Sequence, residues 1–191
     1  MSDKKIPVGI SARHVHVSRE DLDILFGSGY ELTVKKALSQ PGQFASNETV
    51  DLVTEKNTFK KVRILGPIRK ATQVELALTD GMKLGLKLPV KDSGNHAGTP
   101  GITIVGPKGS VDIKQGVIAA CRHIHMTPSD AAQHNVKDKE IVQVKFEGDR
   151  ALIFDKVLIR VSDTCKLDMH IDTDEANACM CKNGDTVEII K

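Results

Sequence analysis

Hydrophobic and polar positions alternate with a period of two in several short segments of the chain. Such alternation predicts β-strands, in which successive side chains point to opposite faces. The alternating segments are residues 62–65, 74–78, 102–105, 141–146 and 157–161. Turn signals such as Gly66-Pro67 and Asn183-Gly184-Asp185 separate the predicted strands. Many short strands with tight turns and few helices predict a mainly β fold of small barrels.

One six-residue motif occurs twice in the chain, with small differences between its copies. RHVHVS at residues 13–18 returns as RHIHMT at residues 122–127, 109 positions later. A helix signal follows both copies, because Ser18 and Thr127 are N-capping hydroxyls with an acid three residues on. Pro128 suits the first helical position. We therefore expect two halves that each contain a histidine-bearing strand followed by a short helix.

A weaker repeat lies further along each half, and its two copies are 95 positions apart. The smaller offset indicates roughly 14 additional residues in the first half, which we place at residues 30–44. The corresponding pairs are 61–65 with 156–160, Glu75 with His170 and, one residue out of step, Thr79-Asp80 with Thr173-Asp174.

Composition and charge argue against several classes of function. The chain has 191 residues, 40% of them hydrophobic and 27% charged, which is typical of a globular protein. The net charge of +2 and the 3% of aromatic residues argue against a nucleic-acid binder. No apolar run has the roughly 20 residues of a membrane span. We expect small-molecule partners, a cytoplasmic location, reduced cysteines and, by base rate, a small oligomer such as a homodimer.

The duplicated histidine pairs are the strongest chemical signal. Residues i and i+2 of a strand share a face, so His14 and His16 point together, as do His123 and His125. A single histidine pair of this kind usually lies on a solvent-exposed polar face of a strand. Two copies in matching sequence context indicate metal sites. The repeat nominates a third ligand for each half. The six candidate metal ligands are His14, His16, Glu75, His123, His125 and His170.

Zinc is the default metal for imidazole with a carboxylate, and cobalt, iron or manganese are alternatives. The spacing of His14, His16 and Glu20 is also that of a cupin metal site. Glu20 is better explained as the first-turn acid of the capped helix, and Ser129 stands in its place in the second copy. A cupin oxygenase is therefore disfavoured.

Taken together, eight motifs resemble the PduL-type phosphate acyltransferases, or phosphotransacylases, from about residue 6 to residue 190. They are SARHVHVS (11–18), LSQPGQF (38–44), ILGP (64–67), RKATQVE (69–75), DSG (92–94), GTPG (98–101), RHIH (122–125) and MHID (169–172). The resemblance implies the reaction acyl-CoA + phosphate ⇌ acyl phosphate + CoA. Propionyl and acetyl are the expected acyl groups, as this family serves diol degradation and acetate metabolism.

The resemblance also implies an architecture. We expect one phosphotransacylase unit over residues 1–191, with two β-barrels capped by short α-helices and a dinuclear zinc centre between them. One barrel would comprise residues 3–12 and 121–191, and the other residues 13–120. In the family pattern, each metal ion takes ligands from both halves of the chain. Glu75, His123 and His125 would hold one ion, and His14, His16 and His170 the other.

Further site residues follow from the same resemblance. Arg69 matches the phosphate-binding arginine and is the catalytic candidate, and a guanidinium fork suits phosphate oxygens. Residues 56–70 contain six cations and no acid, which is a solvated strand face or a site for the phosphates of CoA. The matching CoA-binding positions are Ser11, Lys36, Arg63, Leu65 and Asn177.

No dedicated protein nucleophile stands out, which favours direct attack of phosphate on the thioester. We interpret Cys121 as a small strand residue, residues 93–101 as a connecting loop, and His96 and His134 as surface residues. Two other functions remain open: a binuclear metal-dependent thioesterase that uses water, and a non-catalytic module stabilised by zinc. The roughly five residues before the matching region are too few for a microcompartment-targeting helix, so we expect none.

Overall fold

The computed structural model describes residues 4–190. Its fifteen strands and four helices are short. The strands are β1 (Ile6–Ser11), β2 (His14–His16), β3 (Val34–Ala37), β4 (Phe44–Val53), β5 (Thr58–Gly66), β6 (Gln73–Glu75), β7 (Val90–Lys91), β8 (Ile102–Val105), β9 (Ser110–Ile113), β10 (Val117–Ala120), β11 (His123–Met126), β12 (Ile141–Phe146), β13 (Leu152–Val161), β14 (Asp168–Asp172) and β15 (Thr186–Ile190). The helices are α1 (Arg19–Phe26), α2 (Leu78–Leu84), α3 (Pro128–His134) and α4 (Thr173–Cys179). None of these helices has the length and hydropathy of a membrane span.

The chain divides into two compact units. The first unit contains residues 4–11, 39–41 and 121–190, and it holds a closed barrel in the order β1-β14-β11-β13-β12-β15. The N-terminal strand β1 pairs in parallel with β14 and antiparallel with β15. Side chains such as Ile124, Ile159 and Met169 fill the barrel and are fully buried, so burial of these apolar residues stabilises the closed sheet.

The second unit contains residues 12–38 and 42–120. It is a nine-stranded sheet in the order β7-β10-β6-β2-β5-β4-β8-β9, with β3 paired to β4. Val15, Leu52, Ile64 and Val74 form its fully or almost fully buried core. The mainly β class with short helices is confirmed, although this sheet forms half a barrel rather than a closed one.

The strands and helix caps match the sequence pattern closely. The predicted strands 102–105 and 141–146 coincide with β8 and β12, and the predicted helices are α1 and α3. The Ser18 hydroxyl accepts from the Asp21 N–H, and Thr127 and Asp130 form a capping box. Each cap satisfies N–H groups that a helix start leaves unpaired.

The predicted strand at residues 74–78 is wrong at its end. Strand β6 stops at Glu75, and Leu78 begins helix α2, which the alternation did not reveal. Leu84 is buried while Leu78 is exposed, as one face of the helix packs inward. Gly85 ends the helix in the left-handed conformation, at a φ of 75°, that glycine adopts readily.

Each unit surrounds its histidine strand in the same way. In the second unit, β2 lies between β5, in parallel, and β6, antiparallel. In the first unit, β11 lies between β13, in parallel, and β14, antiparallel. His14 is therefore opposite Glu75, and His123 is opposite His170.

An arginine before each histidine pair ties its strand to a later helix. Arg13 donates from Nε and Nη2 to the Asp80 carboxylate at 3.0 and 2.8 Å, with its guanidinium 4.4 Å from the centre of the Phe59 ring. Arg122 donates to Glu175 Oε1 at 2.6 Å, with its guanidinium 4.9 Å from the centre of the Phe154 ring. Asp80 and Glu175 therefore play the same part, and they are 95 positions apart. The prediction that Thr79-Asp80 lies one residue out of step with the second half is wrong. The 95-residue register extends unbroken through both helices.

Candidate metal centres

Two groups of three ligand-type side chains lie in the structure, one in each unit. Site one is formed by His14, His16 and Glu75, and site two by His123, His125 and His170. Within each site, one nitrogen or oxygen atom per residue lies within 4.8 Å of the others. The structure thus brings all six predicted ligands into two groups.

Strand pairing brings the third residue of each group beside the histidine pair of its own unit. Glu75 lies with His14 and His16 because β6 pairs with β2 inside the second unit. His170 lies with the second histidine pair because β14 pairs with β11. The crossed ligand sets that the family resemblance implies stay a prediction.

Hydrogen bonds to the backbone set the tautomers at site one. His14 Nδ1–H donates to the Ala12 carbonyl at 2.9 Å, and His16 Nδ1–H donates to the Leu65 carbonyl at 3.1 Å. Since a carbonyl only accepts, each Nε2 of the neutral rings carries a lone pair. The two Nε2 atoms lie 3.2 Å apart, with Glu75 oxygens at 3.5 and 3.8 Å from them. Facing lone pairs and a carboxylate at such distances suit a shared cation.

Site two repeats this arrangement. His123 Nδ1–H donates to the Cys121 carbonyl at 2.8 Å, and its Nε2 lies 3.1 Å from Nε2 of His125. The Cys165 thiol sulfur lies 3.5 Å from Nδ1 of His125. His170 Nε2–H donates to Asp168 at 3.0 Å, which leaves Nδ1 of that ring as the available ligand atom.

The electrostatics keep most of these rings neutral. Burial, reinforced by the neighbouring charges of His14 and Arg69, lowers the pKa of His16 to about 3. Burial, with help from His170, lowers the pKa of His125 to about 4. Burial also lowers the pKa of His123 well below its ordinary value. Neutral imidazole is the form that binds a metal, so His16, His123 and His125 are in the ligating state at neutral pH.

Glu75 and His14 shift each other in opposite directions. Burial alone would raise the pKa of Glu75 and lower that of His14. The attraction between the pair outweighs burial, which leaves the pKa of Glu75 well below and that of His14 above the ordinary value. Three nitrogens at site two, and two nitrogens with an anionic oxygen at site one, are donor sets that fit Zn²⁺ or a similar divalent ion with an open position.

A polar network links site one to Arg69. The Ser93 hydroxyl donates to Glu75 Oε1 at 3.1 Å and accepts from Arg69 Nη1 at 2.9 Å. Gln73 Nε2–H donates to Glu75 at 2.6 Å and to Ser93 at 2.8 Å. The backbone N–H of Arg69 donates to the Val17 carbonyl at 2.9 Å. The network holds the guanidinium within reach of the Glu75 carboxylate.

Sequence reasoning missed part of this network. Residues 93–101 were expected to be only a connecting loop, yet Ser93 and the N–H of Gly94 bond to residues of site one. His96 was expected at the surface, but its ring lies 2.9 Å from Gln73 Oε1. His134 was also expected at the surface and is 7% exposed, because the end of α3 is buried. The DSG and RKATQVE motifs contain Ser93 and Gln73, but the sequence assigned no role to either residue.

The remaining predicted residues lie on separate elements. Arg63 is opposite His14 in the sheet and donates from Nη1 to the carbonyls of Ser46 and Asn47, each at 2.9 Å. Leu65 supplies the carbonyl that orients His16. Their positions are Ser11 at the end of β1, Lys36 on β3, Arg63 and Leu65 on β5, and Asn177 on α4.

The chain is similar to known phosphate propanoyltransferases over nearly its whole length. A family profile described as phosphate propanoyltransferase matches residues 7–182. A phosphate propanoyltransferase of Thermotoga maritima is 58% identical over 187 residues, which cover 97% of this chain and 89% of that protein. Proteins of the same name from Listeria monocytogenes and Clostridioides difficile are 54% and 55% identical over 97% of this chain, covering 87% and 89% of their own lengths.

Proposed function

The chain belongs to the phosphate propanoyltransferase family, and on this premise we propose that it moves a propionyl or acetyl group between coenzyme A and phosphate at two zinc ions. The observation that carries the proposal is the pair of three-residue sites, one of which shares a hydroxyl with Arg69. Family membership favours phosphate as the acyl acceptor over water, and hence a transferase over a thioesterase.

The six residues would hold the two ions in the sets of the family pattern, Glu75 with His123 and His125, and His14 with His16 and His170. His14 and His16 would bind through Nε2 and Glu75 through its carboxylate, while His123 and His125 would bind through Nε2 and His170 through Nδ1. When bound, the ions would supply Lewis acidity that polarises the thioester carbonyl and stabilises the thiolate of CoA.

Arg69 is the proposed phosphate-binding residue. Its guanidinium has donors arranged in a planar fork that matches two phosphate oxygens, and it carries a permanent positive charge. The bond from Nη1 to Ser93 and the bond from its backbone N–H to Val17 hold the arginine in place. A preorganised cation of this kind would neutralise the phosphate dianion before it approaches the thioester.

The acyl group would pass directly between the two substrates. A phosphate oxygen attacks the thioester carbonyl carbon, a C–O bond forms, and the C–S bond breaks. The thiolate of CoA leaves with the electron pair and takes up the proton that hydrogen phosphate loses, so CoA is released as the thiol. The reverse reaction uses the same thiolate as nucleophile against the acyl phosphate.

Cys165 provides a test of direct transfer, since a thiol 3.5 Å from His125 Nδ1 resembles a cysteine–histidine nucleophile pair. We expect Cys165→Ser to keep kcat within about threefold of the unchanged protein, because serine retains a polar atom for the ring and only the nucleophile is lost. Steady-state rates with propionyl-CoA and phosphate measure this. A loss of 100-fold or more, or a radiolabelled acyl-enzyme trapped without phosphate, would contradict direct transfer.

The CoA phosphates would lie on basic residues of the second unit. Lys36 is exposed on β3 and Arg63 is half-buried on β5, and both side chains are cations suited to phosphate. Ser11, Leu65 and Asn177 are proposed to line the remainder of the CoA site through their match to the family pattern.

Product analysis tests the proposed function. The protein is incubated with propionyl-CoA and phosphate, and hydroxylamine then converts any acyl phosphate to a hydroxamate. We expect one hydroxamate for each CoA released, with acetyl-CoA and butyryl-CoA run alongside to rank acyl groups. CoA release with propionate and no hydroxamate would identify a hydrolase and overturn the proposal.

A further inference from the structure

Site two has a carboxylate directly behind its third ligand. Asp168 precedes His170 by two residues on β14 and accepts from His170 Nε2–H at 3.0 Å. Asp168 is only 4% exposed, so the pair forms inside the unit rather than in bulk water. A buried carboxylate of this kind fixes the ring orientation of a ligating histidine and makes its other nitrogen a better donor.

The neighbouring strand leaves room for this pair. Gly9 of β1 is opposite His170, and a Cβ at that position would lie 3.2 Å from both Asp168 Oδ2 and His170 Cδ2. Contacts of that length are tighter than ordinary packing, so any side chain at Gly9 would push the carboxylate or the ring. The absence of a side chain at Gly9 therefore keeps the arrangement of Asp168 and His170 undisturbed.

Site one has the counterpart two residues before Glu75. Gln73 is 1% exposed. Its Oε1 accepts from the Gly94 N–H at 2.6 Å and lies 2.9 Å from His96 Nε2. These contacts orient the amide so that its Nε2–H faces Glu75 and donates to it at 2.6 Å. At site one, the amide N–H of Gln73 thus donates to an anionic carboxylate. At site two, the Asp168 carboxylate instead accepts from an imidazole N–H.

We propose that Gln73 and Asp168 are matched positioning residues, each with the hydrogen-bond polarity that its own third ligand requires. They occupy equivalent places in the 95-residue register, as do Glu75 and His170. One carboxylate belongs to each site, as a direct ligand at site one and behind the histidine at site two. The ion held by His170 would thus meet only imidazole nitrogens, with the Asp168 carboxylate behind that ring. This inference rests on the proposed metal centres.

Metal affinity measured site by site tests the proposal. Asp168→Asn keeps the shape and removes the charge, and Gln73→Met keeps the length and removes the donor. Apoprotein is titrated with Co²⁺, followed by its visible absorption in competition with a chelator, and the apoprotein melting temperature is recorded. We expect Asp168→Asn to weaken one of the two binding steps about 10- to 100-fold, the usual effect of losing an outer-shell partner. Gln73→Met should weaken the other step similarly, so each variant is the control of the other.

Two further variants keep structural loss separate from positioning. Gly9→Ala should weaken the same step as Asp168→Asn. Glu175→Gln, which loses its charged bond to Arg122 but touches no ligand, should lower the apoprotein melting temperature and leave both affinities unchanged. The proposal is overturned if Asp168→Asn and Gln73→Met bind Co²⁺ like the unchanged protein, or if both weaken the two steps equally. An unchanged protein that binds no Co²⁺ would instead refute the proposed metal centres themselves.

Discussion

The His14→Ala variant is expected to bind one metal ion instead of two and to lose about 1000-fold or more in kcat. His14 is a proposed ligand, and its removal leaves that ion with two protein ligands, too few for a stable three-ligand site. A bound metal contributes several kcal/mol of transition-state stabilisation, which corresponds to a loss of this size. Metal content by elemental analysis and steady-state rates measure both effects.

His134→Ala is the matched control for that experiment. His134 is 7% exposed and His14 is 6% exposed, so the two substitutions remove the same side chain from equally buried positions. Damage to the fold alone should affect both variants, whereas loss of a metal ligand should affect only His14→Ala. Equal activities of the two variants, with two ions bound in each, would contradict the assignment of site one.

Removing the guanidinium of Arg69 is expected to have the second largest effect. In Arg69→Ala, kcat/KM for phosphate should fall about 100- to 1000-fold, the usual cost of losing one preorganised charged donor from a reaction site. KM for CoA should change little, because the arginine is proposed to bind only the transferred phosphate. Arg69→Lys should recover part of the loss, since lysine keeps the charge but lacks the planar fork.

Lys70→Ala is the control for this effect. Lys70 is the next residue, is also a cation and is exposed, so its removal changes the net charge equally without touching Ser93. We expect a change of less than about threefold, as exposed charges contribute little. A normal phosphate KM and kcat in Arg69→Ala, or equal losses in both variants, would contradict the role of Arg69.

Much of the fold and of the two sites follows from local sequence rules. The i, i+2 geometry of a strand places His14 beside His16, and the repeat selects Glu75 and His170 as third members. The caps at Ser18 and Thr127 mark two helices because hydroxyl capping is a local interaction. These features depend on neighbours in the chain, so single-sequence reasoning reached them.

The remainder depends on contacts between distant segments. The network of Ser93, His96 and Gln73 forms only when the loop after α2 folds back onto β6, and no local pattern announces that approach. Helix α2 has no side-chain cap at Ala77, which removed the usual start signal. The placement of Glu75 beside His14 depends on the pairing of β2 with β6, which the repeat alone does not show.

The most direct test of the account combines metal content with phosphate-dependent turnover. Thiol release from propionyl-CoA is measured with and without phosphate, in the purified protein, after exhaustive chelation and after Zn²⁺ is restored. We expect two ions per chain and thiol release that requires phosphate, disappears on chelation and returns with Zn²⁺. Release without phosphate, or an unchanged rate in metal-free protein, would contradict it.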